Sequence, residues 1–232
     1  MNIDLHGKKA LITGSTAGIG FAIAEGLDRA GAEVYINGRT QARVDNAVAA
    51  LRKNNPESRA RGVSADCGTA SGVESLIAQI PEVDILINNL GIFEPKPFFE
   101  IPDADWMRFF EVNVMSGVRL SRHYTPNMVT KKWGRVLFVS SESAVQIPTE
   151  MIHYGTTKTA QLSVARGLAE TVAGSGVTVN SLIVGPTRSE GVETFVGDLA
   201  RQAGTTEAAV EADFFKTMRP TSIIGRFCTT EE

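Results

Sequence analysis

Tyr154 and Lys158, in the stretch "HYGTTK", stand four residues apart. On a helix, positions i and i+4 share a face, so a phenol and an ammonium at this spacing can enter one cleft. A free phenol has a pKa of about 10 and is a poor base near neutrality; a neighbouring ammonium favours the phenolate and lowers that value. Such a pair could move a proton to or from a substrate oxygen. Two residues on one helical face also serve packing and solvation, and taken alone the pair fits that bland role better.

Two further groups precede them. Ser141 closes the apolar run in "FVSSES", and a hydroxyl at a strand C-terminus faces the crevice where open α/β sheets bind ligands. Ser140 is the runner-up, although strand alternation points it the other way; Ser143 is a weaker candidate. Asn113, in "FEVNVMSG", lies inside a helical stretch, where an asparagine side chain competes for backbone groups. By itself it reads as surface or structural.

The elements that must position these groups alternate between short β-rich runs and helical patterns. "KKALIT", "AEVYIN", "ARGVSA", "VDILINN", "GRVLFVS" and "VTVNSLIV" read as six strands. Helices are expected over 19–30, in "QARVDNAVAALRKN" and "SGVESLIAQI", and over 103–124 and 151–173. Continuous apolar strands separated by helices argue for a parallel sheet covered on both faces. Right-handed crossovers make it a doubly wound, Rossmann-like sheet in three α/β/α layers. Residues 1–232 read as one domain. The segment 188–220, helical in pattern and rich in small and charged residues, suits a lid over the strand C-termini.

Composition narrows the class. The 232 residues are 43% hydrophobic and carry a net charge of −3 with no block of like charge, so nothing points to a nucleic-acid or membrane surface. Two distant cysteines, Cys67 and Cys228, and three histidines argue against a disulfide scaffold and offer no metal site. The start has no apolar h-region and no run is long enough to span a bilayer. A reducing cytoplasm is the default expectation.

"TGSTAGIG", from Thr13 to Gly20, joins the first strand to its helix. Glycines let backbone approach a pyrophosphate, and the helix N-terminus offers N–H groups and positive dipole. With its T-G-x-x-x-G-I-G spacing, the chain resembles the short-chain dehydrogenase/reductase family, single-domain NAD(P)-dependent enzymes. The resemblance runs from about residue 5 to residue 228 and is carried by several further matches. "DILINNLG" resembles the family's N-N-A-G, with Leu90 where alanine is usual. Ser141 stands at the family's usual interval before tyrosine, and Tyr154 and Lys158 complete Y-x-x-x-K. Asn113 matches an asparagine that sits at a helix distortion and holds a water beside the lysine. "VGPTRSEG" resembles the P-G-x-x-x-T region beside the nicotinamide, with Val184 replacing the proline.

The resemblance implies hydride transfer between nicotinamide and a carbonyl or secondary alcohol. Asn113, Ser141, Tyr154 and Lys158 are the implied catalytic residues. Tyr154 would be the general acid/base, its pKa lowered by Lys158 and the nicotinamide. Ser141 would hold the substrate oxygen, Lys158 would also bind the ribose, and Asn113 would anchor a water. The implied cofactor-binding residues are Gly14, Ser15, Thr16, Ala17, Gly18, Ile19, Gly20, Arg39, Asp66, Cys67, Asn89, Gly91, Tyr154, Lys158, Gly185 and Thr187. No metal is needed.

NADP(H) is favoured over NAD(H). The second strand ends without the acid that would bind the ribose hydroxyls of NAD, offering Asn37, Gly38 and Arg39 instead. A guanidinium suits a phosphate, whereas Ala17 replaces a second basic residue of many NADP-preferring relatives. The substrate, a small carbonyl or alcohol, is not legible; Phe93, Glu142, Gln146, His153 and Arg188 could face it. The chain ends at "RFCTTEE", where family members usually add a helix and a seventh strand. A homodimer or homotetramer is implied, the tetramer less so without those elements. Rival readings are an idle nucleotide sensor of the same fold, or epimerase or dehydratase chemistry on it.

Overall fold

The computed structural model describes residues 3–232. Its sheet has six parallel strands in the order β3-β2-β1-β4-β5-β6 among these residues. They are β1 (Lys9–Ile12), β2 (Glu33–Gly38), β3 (Arg61–Ser64), β4 (Ile85–Asn88), β5 (Gly134–Ser141) and β6 (Val177–Val184). The register pairs Leu11 with Tyr35 on one side and Leu86 on the other, so β1 and β4 are central. Their near-continuous apolar sequences follow, because both faces of a central parallel strand are covered.

Successive residues of β1 serve opposite layers. Leu11 packs with Leu86, Val136 and Phe138 against Val73 and Leu76 of α3 (Ala70–Gln79) and Leu120 and Tyr124 of α5 (Ser116–Thr130). Ala165 of α6 (Ile152–Thr171) joins the same layer. Ile12 packs on the other face with Ile36, Ile85 and Ile87, against Ala24 of α1 (Gly18–Arg29) and Val44 and Leu51 of α2 (Gln41–Asn54). Each such fully buried Leu or Ile side chain contributes about 1.5–3 kcal/mol. The three-layer Rossmann-like architecture expected from the strand pattern is the observed one.

The strand order reverses between β1 and β4, which opens a crevice above their C-terminal ends. The helix expected over 103–124 is interrupted. It comprises α4 (Asp103–Phe110), one π-helical turn over Glu111–Met115, and α5, which continues through Pro126 to Thr130. Segment 188–220 forms α7 (Glu190–Ala203), α8 (Glu207–Asp213) and a second π turn, Phe214–Met218. These carry a small core of their own, Val196, Phe215 and Phe227. The chain end returns to it: Cys228 N donates to Pro186 O (2.9 Å) and Arg188 N to Cys228 O (2.8 Å).

Candidate active site

The loop after β1 is bent by Gly14 and Gly18, both at positive φ (61° and 58°). Gly20 answers a different demand. A Cβ there would lie 2.5 Å from Asn89 Nδ2 and 2.7 Å from the carbonyl oxygen of Gly14, leaving no room for a side chain. Asn89 needs that space: its Nδ2 donates to the carbonyls of Thr13 (2.8 Å) and Gly14 (3.0 Å). Thr13 Oγ1 in turn accepts from the backbone N–H of Asn89 and Leu90, each at 3.0 Å. The ends of β1 and β4 are thereby tied together, and a cleft of about 720 Å³ opens over them.

That cleft is lined by Gly14, Thr16, Ala17, Gly18, Ile19, Gly20, Arg39, Asp66, Cys67, Asn89, Gly91, Tyr154 and Lys158. Ser15 is a correction. It is fully buried, donates to Ile12 O (2.7 Å) and accepts from Asn37 N (3.0 Å), so its hydroxyl braces two strand ends and does not face the cleft. Asn37, at the end of β2, completes the brace. It accepts from Gly14 N (3.3 Å) and donates to the carbonyls of Val63 (3.2 Å) and Ala65 (3.1 Å). Leu90 packs onto the α3/α5 core while bordering the cleft.

Arg39 lies exposed at the β2 end of the cleft. A second guanidinium there was missed. Arg43, in the first turn of α2, donates to Glu190 Oε2 (2.5 Å) and Oε1 (3.3 Å) and to Thr16 Oγ1 (3.4 Å). Asp66 Oδ1 accepts from Gly68 N (3.0 Å) as a turn acid while it lines the cleft. Cys67 is buried, and burial followed by the charge of Asp66 pushes its thiol up to about 12.

At the other end, β5 and α6 bring Ser141, Tyr154 and Lys158 together. Ser141 Oγ accepts from Ser143 N (3.1 Å), and Ser141 and Tyr154 border the same cavity. Ser140 turns away, its hydroxyl donating to Lys158 O (3.0 Å). Ser143 is buried. Lys158 is 4% exposed; its Nζ donates to Val139 O (2.9 Å) and lies 5.6 Å from the centroid of the Tyr154 ring. Burial alone pushes its ammonium down to about 8. Gly91 keeps this corner open, since a Cβ there would stand 3.4 Å from Nζ.

The phenol of Tyr154 departs from expectation. Its pKa is raised, chiefly by burial; the nearby Ser141 hydroxyl opposes this, the Glu142 charge adds to it and the Arg219 charge opposes it. Loss of solvation disfavours the phenolate more than the neighbouring groups favour it.

The π turn explains Asn113. Its Oδ1 accepts from Ile92 N (2.7 Å), and its Nδ2 donates to Ile92 O (3.0 Å) and Thr157 Oγ1 (3.0 Å). The side chain thus clips the helix to the segment after β4 and to α6. Its main-chain carbonyl accepts from Gln161 Nε2 at 2.6 Å, and π turns release such carbonyls from the helical ladder. Gln161, one turn beyond Lys158, was not anticipated.

A second cavity, of about 210 Å³, adjoins Tyr154 and Ser141 on the side of α7 and the second π turn. Gly185 and Thr187 border it; the Thr187 hydroxyl donates to Gly185 O (3.0 Å). Phe93 and Glu142 also border it, whereas three other pocket candidates do not. His153 is buried against Phe109, ring centroids 4.1 Å apart, and the apolar surroundings lower its pKa. Gln146 bonds Thr221 (3.1 Å), and Arg188 pairs with Glu211. Arg219, unforeseen, enters this cavity from the second π turn and bonds Glu142 and Glu150. Among the described residues, no cluster of His, Cys, Asp and Glu could hold a metal, and no helix is long and apolar enough to cross a membrane.

This arrangement has known relatives. The short chain dehydrogenase family model matches residues 8–199. An uncharacterized oxidoreductase of Bacillus subtilis, YvaG, is 50% identical over the whole chain and 88% of its own length. A second from the same organism, YvrD, is 43% identical with the same coverage. Among solved structures, L-sorbose reductase from Gluconobacter frateurii, complexed with NADPH and L-sorbose, superposes with a TM-score of 0.92 at 28% identity, over the whole chain and 88% of its own. The chain belongs to the short-chain dehydrogenase family and, like these relatives, is an oxidoreductase.

Proposed function

We propose that the protein transfers a hydride between NADP(H) and a small carbonyl compound or its secondary alcohol, with Tyr154 as general acid in reduction and general base in oxidation. The observation that carries this is the meeting of Ser141, Tyr154 and Lys158 where the large glycine-walled cleft joins the smaller cavity. The cleft fits a dinucleotide: Gly20 stands where a Cβ would strike Asn89, Gly91 leaves the wall beside Lys158 without a side chain, and Arg39 and Arg43 lie at one end. NADPH in the sorbose reductase supports the choice of cofactor.

The nicotinamide, when bound, supplies or accepts the hydride. The chain's own residues handle the proton. Ser141 Oγ, already accepting from Ser143 N, keeps its hydrogen free to donate to a substrate oxygen. Tyr154 Oη, beside that hydroxyl, gives its proton to the same oxygen in reduction. A phenol with a raised pKa holds this proton firmly until the oxygen becomes strongly basic, which suits the reductive direction. Lys158, with a pKa near 8, is mostly charged at neutrality and opposes the desolvation of the phenolate left behind. Asn113 and Gln161 hold the π turn against α6 and so fix the position of Lys158.

Segment 188–220 acts as the lid, and Arg39 holds the 2′-phosphate in this reading, joined by Arg43 when its exposed pairing with Glu190 is exchanged for the phosphate. A cytoplasmic homo-oligomer completes it. Tyr154→Phe tests the assignment: turnover of carbonyl substrates should vanish while NADPH binding, followed by fluorescence, is nearly unchanged. Surviving turnover would remove Tyr154 from the mechanism, and NADPH binding without turnover by the wild type would favour a nucleotide sensor.

A further inference from the structure

We infer that the pocket beside Tyr154 selects uncharged, hydroxyl-bearing carbonyl compounds and rejects carboxylates, and that Glu142, Glu150 and Arg219 set this choice. The inference rests on the proposed reaction and deepens it to a substrate class. The smaller cavity is walled largely by apolar side chains, among them Phe93, Met151, Phe195, Phe214 and Phe227. Apart from Tyr154, its ionisable lining residues are Glu142, Glu150 and Arg219.

An arginine in a substrate pocket ordinarily invites an anion, because its planar fork matches a carboxylate. Here two of the three guanidinium nitrogens are already engaged, and only Nη2 makes no hydrogen bond among the described residues. Arg219 Nε donates to Glu142 Oε1 (2.7 Å), and Nη1 donates to Glu150 Oε1 (3.0 Å) and to Met218 O (2.8 Å). The side chain is 8% exposed, and its Cζ lies 5.2 Å from the centroid of the Phe214 ring. One positive and two negative charges leave the cluster with a formal charge of −1 on the pocket wall. A substrate carboxylate would meet net repulsion from this cluster, and would have to displace Glu142 or Glu150 to take the two-point grip of a guanidinium, since Nη2 alone is left to it. Both glutamates are only partly exposed, so that repulsion is screened less than between fully solvated charges.

The glutamates also make the wall an acceptor surface. Each has one oxygen on Arg219, while Oε2 of each makes no hydrogen bond among the described residues. Carboxylate oxygens accept and do not donate, so their natural partner is a substrate hydroxyl. Glu142 directly follows Ser141, which ties this acceptor to the point where the carbonyl oxygen would sit.

A matched pair of probes tests the inference: 5-hydroxypentan-2-one and levulinate share the methyl ketone and chain length but end in a hydroxyl or a carboxylate. kcat/KM is measured with NADPH, and dissociation constants by calorimetry on the NADPH-loaded enzyme. The hydroxyketone should be preferred by about tenfold or more in both readouts. The Glu142→Gln/Glu150→Gln double variant frees Arg219 and should shrink or invert that ratio. Levulinate turned over or bound as well as the hydroxyketone by the wild type overturns the inference, as does absence of hydroxyketone binding or an unchanged ratio in a folded double variant. The wild-type ratio alone decides if the double variant does not fold. Failure of the reaction reading looks different: neither probe would consume NADPH, while calorimetry would still rank them.

Discussion

Lys158→Met should flatten the rise of stability at alkaline pH that the wild type carries at this position. The ammonium is buried, without a carboxylate partner, and its pKa falls from 10.5 to about 8. Its folded pKa lies below its unfolded value, so between the two the unfolded chain holds a proton that the folded chain has released. Stability therefore rises with pH through that window. At neutrality the buried charge costs the fold about 3 kcal/mol relative to a solvated lysine, at roughly 1.4 kcal/mol per pKa unit. About 2 kcal/mol of that is relieved between about pH 7.5 and pH 10. Tyr35 and Tyr124 have raised pKa values and Cys67 is raised to about 12, so all three lower stability as pH climbs past their unfolded values. They do so in both proteins, and their contribution cancels in the difference; Tyr154, raised as well and beside Lys158, does not cancel, but an unfolded value of about 10 keeps its effect small up to pH 10. The assay is urea unfolding of wild type and Lys158→Met across this range. The wild type should gain about 2 kcal/mol relative to the variant. Parallel curves would refute a buried, destabilised ammonium at this position. The variant should also lose turnover, so that one side chain is a burden to the fold and a requirement of the reaction.

Two other perturbations address the cofactor cleft. Gly20→Ala forces a Cβ into Asn89 Nδ2 and the Gly14 carbonyl, which should cost about 1–3 kcal/mol in stability and weaken NADPH binding; a thermal melt and a fluorescence titration read both. Arg39→Ala and Arg43→Ala should each weaken NADPH binding about tenfold with little effect on NADH, since a charged hydrogen bond to phosphate contributes about 1.5–3 kcal/mol. Equal losses for both nucleotides, or tighter use of NADH by the wild type, would overturn the 2′-phosphate assignment.

What the chain reveals before folding depends on how far apart the interacting residues lie. β2, α2 and β6 were legible because apolar periodicity and flanking breakers are local properties. The same locality marked the glycine loop and the Tyr154–Lys158 face. Ser15 misled for a complementary reason: a loop hydroxyl near a phosphate site looks like a donor, yet its partner Asn37 N arrives from the next strand, 22 residues on. The π turn was visible only through its symptom, an asparagine inside a helix; the release of its carbonyl to Gln161 depends on a helix 48 residues away. Arg219 lay beyond local reasoning, since its two partners are 77 and 69 residues distant and the lid must fold back over β5 to join them.

This division has a chemical counterpart. The proposed proton-transfer groups come from a strand end and the helix that follows it, Ser141 and then Tyr154 and Lys158, so a short sequence motif can carry them intact. The groups that judge the substrate come from the strand end, the loop before α6 and the lid, and no motif spans all three. Pocket charge is therefore set by pairing, which composition cannot show: Arg219 counts as a cation in the sequence and as the centre of a cluster with a formal charge of −1 in the fold. Reading Arg219 alone would predict an acidic substrate, and reading it with Glu142 and Glu150 predicts the opposite. Reaction type is thus available from a motif, whereas substrate charge requires the assembled pocket.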